Sequence, residues 1–160
     1  MKKHLLATAS VCALLCMNAC SSSSTSPAPA DPNQRSEASR ERSIAFKTLG
    51  GDMKELGDVV QGNVAYDVEK FKAKVAEFVA HSEVPFQHME QDANGANGLA
   101  KAEVWSNAAG FQAETEKFTQ AVAALNAAAE SGNLEQIKAA FGPVGGSCKS
   151  CHEGFKIPNP

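Results

Sequence analysis

Apolar residues recur at alternating spacings of three and four along most of the chain, from about residue 37 to residue 155. This period places them on one face of an α-helix, and no stretch with the two-residue period of a strand competes with it. The pattern predicts four amphipathic helices: Glu37–Val60, Tyr66–His81, a third whose apolar stripe runs from Val104 to Ala129, and Leu134–Phe155. Because most of the connections are short, we expect an all-α fold, an antiparallel four-helix bundle over residues 37–160.

Residues that start, end or bend helices mark the connections. Pro85 follows the second predicted helix and ends or kinks it, and the polar segment 91–98 with its two Asn-Gly pairs predicts a loop. A tight turn precedes Asn133. Asn133 and the glutamine three residues later together resemble a capping box, which marks the start of the fourth predicted helix. Pro143 lies inside the fourth predicted helix, where we expect a local kink because proline removes a backbone donor.

The first twenty residues differ in character from the rest of the chain. A basic start and an apolar stretch from Leu5 to Met17 are typical of a secretory signal. The small residue before Cys20 resembles the cleavage site of bacterial lipoproteins, in which this cysteine is acylated and becomes the mature N-terminus. We therefore expect a signal peptide over residues 1–19, a lipid on Cys20, and a flexible Ser/Pro-rich linker over residues 20–36.

Composition and charge narrow the class of protein. The 160 residues suit one domain, and a formal charge of −3 argues against a nucleic-acid partner. No stretch reaches the roughly 18 consecutive apolar residues of a spanning helix, so we expect contact with a membrane only through the lipid anchor. Two of the five cysteines leave with the signal peptide; once Cys20 is acylated, only Cys148 and Cys151 remain to be explained.

The chemistry of the chain is concentrated in Cys148-Lys149-Ser150-Cys151-His152. C-x-x-C-H is the attachment signature of c-type haem, in which each thiol adds across one vinyl group and the adjacent imidazole becomes an axial ligand of the iron. Both cysteines fall on the apolar face of the fourth helix, which predicts one covalent haem c inside the bundle. A zinc site, a thioredoxin-like redox pair and a structural disulfide are weaker alternatives, because further close ligands, a βαβ context and suitable bridging geometry are lacking.

A c-type haem signature at the C-terminal end of a four-helix bundle resembles the class II cytochromes c, and most closely the cytochromes c′. The resemblance covers about residues 37–156. Four stretches carry it: RSIAF at 42–46, VPF at 84–86, KAEVWS at 101–106 and FGPVGGSCKSCH at 141–152.

The resemblance also assigns residues to the surroundings of the haem. It implies that Arg42 contacts a haem propionate and that Lys101 lies near the propionates, with Ser43 at the haem edge. It further implies that Phe86 and Met89 line the haem pocket.

Phe46 decides what the iron can do. The resemblance implies that Phe46 covers the distal face, near the position where low-spin relatives carry a methionine ligand. Because a phenyl ring cannot coordinate iron, we expect five-coordinate, high-spin iron that favours NO and CO over O2, whose bound form needs a hydrogen-bond donor. Met89 is the rival sixth ligand. Lys156 departs from the family, which commonly carries arginine four residues after the ligand His152; lysine keeps the charge but lacks the planar surface.

These features imply a haem protein, not an enzyme, that binds NO or CO and sequesters nitric oxide. The alternative is an electron-transfer cytochrome of the cell envelope, whose redox partner the sequence does not identify. The acylated Cys20 followed by Ser21 predicts the periplasmic side of the outer membrane, with a soluble periplasmic protein as the alternative. The resemblance also implies a homodimer, since cytochromes c′ are often dimers.

Overall fold

The computed structural model describes residues 35–91 and 98–158. These residues form six helices: α1 (Glu37–Val60), α2 (Val68–Ser82), α3 (Val84–Gln91), α4 (Glu103–Ser106), α5 (Ala108–Ser131) and α6 (Leu134–Phe155). The predicted signal peptide, the predicted acylation site Cys20 and most of the predicted linker lie outside the described residues. Within these residues, no helix is both long enough and apolar enough to cross a membrane.

The helix α1 has the bounds that the apolar pattern predicted. Ser36 caps its N-terminus, where the side-chain oxygen accepts a hydrogen bond from the backbone N–H of Ser39 at 3.0 Å. This bond satisfies one of the donors that the first turn of a helix leaves without an intrahelical partner. The cap therefore fixes where the linker ends and the bundle begins.

The second predicted helix, Tyr66–His81, forms as α2, and the short helix α3, which the sequence did not predict, follows it after Glu83. The helix α2 begins two residues later than predicted because Asp67 is its N-cap and accepts from the backbone N–H of Lys70 at 3.0 Å. The helix α3 then starts next to Pro85, which fits the first turn of a helix because no partner is needed there for its missing N–H. Proline thus ends one helix and allows the next to begin.

The third predicted helix is interrupted, which corrects the prediction of one continuous helix. Asn107 leaves helical geometry at φ −120° and ψ 55°, and its side chain accepts from the backbone N–H of Gly110 at 3.2 Å, as the N-cap of α5. A Cβ at Gly110 would lie 2.4 Å from the Asn107 amide nitrogen, so this cap requires glycine at that position. The apolar spacing continues across the break and therefore could not reveal it.

The helix α6 continues through Pro143 without a break. Its N-cap is Asn133, as predicted, and the side-chain oxygen accepts from the backbone N–H groups of Glu135 and Gln136 at 3.0 and 3.1 Å. The missing donor of Pro143 therefore does not end the helix before it reaches the cysteines.

The helices bury two apolar clusters, and the boundary between the clusters positions the site. The main cluster joins α1, α2, α5 and α6 around side chains such as Leu56, Phe78, Leu125 and Ile137. A smaller cluster lies at the end of the bundle where α6 finishes; its buried members are Met89, Val104 and Phe155. The predicted all-α fold, an antiparallel four-helix bundle, is confirmed by the similarity to solved four-helix bundles reported below.

Candidate functional site

The last turns of α6 place the two predicted attachment thiols at the boundary between the clusters. Cys148 and Cys151 are both half-buried and both free. Cys148 packs against the main cluster and Cys151 against the smaller one. Since residues three apart lie on the same face of a helix, the two sulfur atoms are presented along one side of α6.

The protonation states of these groups suit covalent attachment and metal ligation. Burial raises the pKa of the Cys148 thiol, and burial together with the negative charge of Glu114 raises that of Cys151 to about 11. Burial and the charge of Lys156 lower the pKa of His152. At neutral pH the site therefore offers two neutral thiols and a neutral imidazole, the form in which histidine binds a metal.

Two adjoining cavities meet at this end of α6. The first has a volume of about 220 Å³ and is lined mainly by apolar side chains, among them Leu49, Met53, Phe86 and Phe118. The second has a volume of about 400 Å³. Both are lined by the same three residues of the predicted site: Phe46, Cys151 and His152.

Phe46 lies between the two cavities and beside the predicted iron ligand. Its ring centroid is 6.2 Å from that of His152, at an interplanar angle of 74°. It is 6.0 Å from the centroid of Phe86, in an edge-to-face arrangement. Phe86 in turn contacts Phe111 and Phe118 from the facing helix α5. The structure thus brings Phe46, Phe86 and His152 together at the first cavity.

Arg42 is buried in the wall of the second cavity, with only 4% of its surface exposed. Its Nη1 donates to the backbone carbonyl of His88 at 3.5 Å. Ser43 lines the same cavity, and its hydroxyl donates to the carbonyl of Ser39 at 3.0 Å. Both residues therefore line the same cavity as His152.

Arg35 is a residue of the second cavity that the sequence did not reveal. It belongs to the segment predicted to be linker, yet its side chain extends along the first two turns of α1. Its Nη2 donates to the carbonyl of Ser39 at 2.9 Å and also to the hydroxyl of Ser43. The spacing of four and eight residues from Arg35 to these serines is the only sequence signal for this arrangement.

Met89 lines the second cavity, and Lys101 lines a neighbouring surface depression. Met89 is buried in the smaller cluster, and its carbonyl accepts a hydrogen bond from the Trp105 indole at 3.3 Å. The Lys101 ammonium donates to the carbonyl of Glu153 at 2.8 Å, and its backbone N–H donates to the carbonyl of Phe155 at 2.9 Å. Lys101 therefore lies beside the last turn of α6, facing a surface depression that His152 also lines.

The cavities and their charged residues fit a haem. Such a group needs apolar walls for its ring, two thiols for its vinyl groups, one neutral imidazole for its iron and cations for its propionates. The second cavity is lined by the positively charged Arg35, Arg42, Lys47 and Lys156, and none of its described lining residues is acidic. The carboxylate of Glu114 lines the first cavity but accepts hydrogen bonds from Lys117 and Ser150.

Comparisons with known proteins agree with this interpretation of the site. The family profile described as Cytochrome C' matches residues 37–156. The chain is 36% identical over 116 residues to cytochrome c' of Rubrivivax gelatinosus, covering 72% of this chain and 90% of that protein.

Solved structures of cytochrome c prime variants from Alcaligenes xylosoxidans superpose on the chain. A nitric oxide complex has a TM-score of 0.73 at 31% identity, covering 82% of this chain and all of that one. A carbon monoxide complex has a TM-score of 0.73 at 32% identity, covering 81% of this chain and 98% of that one. The chain therefore belongs to the cytochrome c′ family and binds covalently attached c-type haem.

Proposed function

We propose that this protein binds nitric oxide, and also carbon monoxide, at five-coordinate, high-spin iron, and that it sequesters nitric oxide at the cell envelope. As a cytochrome c′ it is a haem protein of a gas-binding family. The observation that carries the proposal is the position of Phe46, whose ring lies 6.2 Å from the ring of His152. A side chain without a metal-binding atom beside His152 supports an iron with no second protein ligand.

Each residue of the site has a distinct task in this proposal. Cys148 and Cys151 would hold the haem by thioether bonds, and His152 would bind its iron. Arg42 and Arg35 lie in the cavity wall where they can bind the propionates. When bound, the haem would supply an iron that can accept a diatomic molecule.

The first cavity favours ligands that need no hydrogen bond. Its polar lining groups already have partners: the Thr115 hydroxyl donates to the carbonyl of Gln112 at 2.8 Å, and the Glu114 carboxylate binds Lys117 and Ser150. Bound O2 carries partial negative charge and needs a donor, whereas NO and CO depend on one far less. We therefore expect binding of NO and CO to be favoured over binding of O2.

Met89, the rival sixth ligand, is held away from this role by its packing. Its side chain is buried with Val104 and Phe155, and the indole of Trp105 binds its carbonyl. Bringing its sulfur to the iron would require it to leave this cluster. The packing therefore favours an iron without a methionine ligand.

Titration of the reduced holoprotein with NO, CO and O2 tests this function. We expect NO and CO to change the absorption spectrum in simple saturation curves, while O2 at air saturation forms no stable complex. A stable O2 complex, or iron that binds neither NO nor CO, would contradict the proposal.

We further propose that the protein is anchored by a lipid on Cys20 to the periplasmic side of the outer membrane. The support is the resemblance of the segment around Cys20 to a lipoprotein cleavage site. The mature protein should enter the detergent phase in a phase-partition assay, and Cys20→Ser should move it to the aqueous phase. Recovery of the unmutated protein in the aqueous phase would refute the anchor.

A homodimer is also part of the proposal, through the resemblance to the family. Sedimentation of the holoprotein over a range of concentrations checks it. A single species with the mass of one chain at all concentrations would refute the dimer.

A further inference from the structure

Positively charged side chains surround the entrance to the haem site. They line the second cavity and the neighbouring surface depression, which share His152 and Lys156. We call this set the cationic rim: the half-buried or exposed Arg35, Lys47, Lys101, Lys149 and Lys156, and the buried Arg42. The residues of the rim come from α1 and the residues just before it, from the segment before α4 and from the end of α6. Folding therefore brings them together.

Backbone and side-chain hydrogen bonds hold the rim together. The guanidinium of Arg35 is held by Ser39 and Ser43 on α1. On the other side, the segment before α4 pairs with the chain after α6: an antiparallel bridge joins Ala100 to Lys156, and Ile157 donates to the carbonyl of Leu99 at 2.7 Å. The positive charges therefore have defined positions on an ordered surface.

The charge of the rim exceeds what the haem requires. Six cations line the two depressions, and Glu153 is the single carboxylate among their described lining residues. Two haem propionates would neutralise two of the cations, and Glu153 pairs with Lys149 at 3.8 Å, so positive side chains still outnumber negative groups among the described lining residues. The whole chain carries a formal charge of −3, which means that its charge is distributed unevenly. Such a patch attracts an anionic partner and orients it toward the site.

We propose that the cationic rim is the docking surface for an acidic electron-transfer protein that reduces the haem iron. In this step one electron passes from the partner to ferric iron, which becomes ferrous, and the partner is oxidised by one electron. Because CO binds only ferrous iron, such a partner would also supply the form of the protein that binds it. The proposal goes beyond gas binding, since it assigns the surface and the chemical class of the redox partner.

The composition of the rim favours a protein over a membrane surface. Among the described residues, the large apolar side chains that are exposed are Ile44, Val64, Val68 and Ile157, and only Ile157 borders the rim. Surfaces that lie on membranes combine basic residues with several inserted apolar ones. Transient electron-transfer complexes, in contrast, are small and rely on charge for fast and correct encounter.

The test compares two charge-reversal variants of the holoprotein. Lys47→Glu with Lys149→Glu changes the rim, whereas Lys70→Glu with Lys138→Glu makes the same change in charge outside it. Lys138 lies eleven residues before Lys149 on α6, about 16 Å along the axis at 1.5 Å per residue. The probe is a flavodoxin, a small acidic one-electron carrier.

Binding is measured first without any electron transfer, between oxidised flavodoxin on a sensor surface and the ferric holoprotein. We expect the unmutated protein to bind at low ionic strength and to dissociate as salt is added. The rim variant should bind at least tenfold more weakly, and the control variant within about twofold of the unmutated protein.

Reduction kinetics then distinguish a loss of docking from a loss of reactivity at the haem itself. The rim variant should be reduced more slowly by reduced flavodoxin but faster by the cation hexaammineruthenium(II), because the reversal repels the first reductant and attracts the second. The proposal would be overturned if the rim variant were reduced more slowly by both reagents. It would also be overturned if the rim and control variants showed equal changes in their reduction rates.

Two further outcomes would also overturn it. One is the absence of flavodoxin binding at low salt. The other is binding of the rim to vesicles containing phosphatidylglycerol in its place, which would assign the surface to a membrane. NO titration of the same variants reports on the proposed gas binding separately, so that the two proposals can fail independently.

Discussion

Replacing Phe46 by alanine is predicted to speed the entry of gases to the iron. The ring borders both cavities and lies beside His152, so a diatomic molecule must wait until the ring swings aside. Alanine removes that obstacle and leaves Cys148, Cys151 and His152 unchanged. Association of CO and NO with the reduced holoprotein should therefore become faster.

The contacts of the ring set the size of the effect. Moving the ring aside breaks its edge-to-face contact with Phe86, worth about 0.5–1.5 kcal/mol. Forcing its side chain away from a staggered rotamer costs about another 0.5–1.5 kcal/mol. A barrier lowered by about 1–3 kcal/mol corresponds to association that is about 5- to 150-fold faster, at about 1.4 kcal/mol per factor of ten.

Flash photolysis of the CO complex and stopped-flow mixing with NO measure these rates directly. Phe141→Ala is the matched control, since Phe141 is a half-buried ring of the main cluster that lines neither cavity. The control should lose stability without faster association. Unchanged rates in Phe46→Ala would refute the reasoning and would show that another side chain covers the iron.

Three further predictions concern the cofactor, the helix caps and an inter-helix hydrogen bond. Haem should stay with the unmutated polypeptide in denaturant and acidified organic solvent, and Cys148→Ala with Cys151→Ala should release it; extraction from the unmutated protein would exclude covalent attachment. Asn107→Ala should lower the free energy of unfolding in urea by about 1 kcal/mol, because α5 loses its N-cap; an unchanged midpoint would mean that the cap contributes nothing. Hydrogen bonds from Lys117 and Ser150 lower the pKa of Glu114 in the folded protein. The ionised carboxylate therefore stabilises the fold at any pH above the pKa it has in the unfolded chain. This stabilisation is lost as the pH falls through the lower pKa that Glu114 has in the folded protein. Ser150→Ala should therefore reduce stability at pH 7 and have no effect below that value; an equal loss at both pH values would contradict this assignment.

The helices that bury one regular apolar face could be predicted from the sequence, and the interruptions could not. The bounds of α1 and α6 follow from the apolar period and from caps at Ser36 and Asn133. The break at Asn107 was missed because apolar residues keep the same spacing on both sides of it. The interruption depends on one side chain that accepts a hydrogen bond from Gly110, a local interaction that periodicity does not report.

Some residues of the site could be predicted from the sequence, and others could not. The thiols and the ligand His152 form a contiguous motif, and the resemblance supplied Arg42 and Phe46, which the fold brings to the same cavity. Arg35 was assigned to the linker because the composition around it is rich in Ser and Pro. Its place at the cavity follows from hydrogen bonds to side chains and carbonyls on α1, which can form only after α1 has folded.

The coordination of the iron in the unmutated, ferrous holoprotein is the central claim, and its optical spectrum tests that claim most directly. Five-coordinate, high-spin iron with Phe46 on its distal side predicts a single broad band in the visible region. Sharp, separate α and β bands would show low-spin, six-coordinate iron. That result would contradict the account, assign a sixth ligand such as Met89, and favour electron transfer as the function.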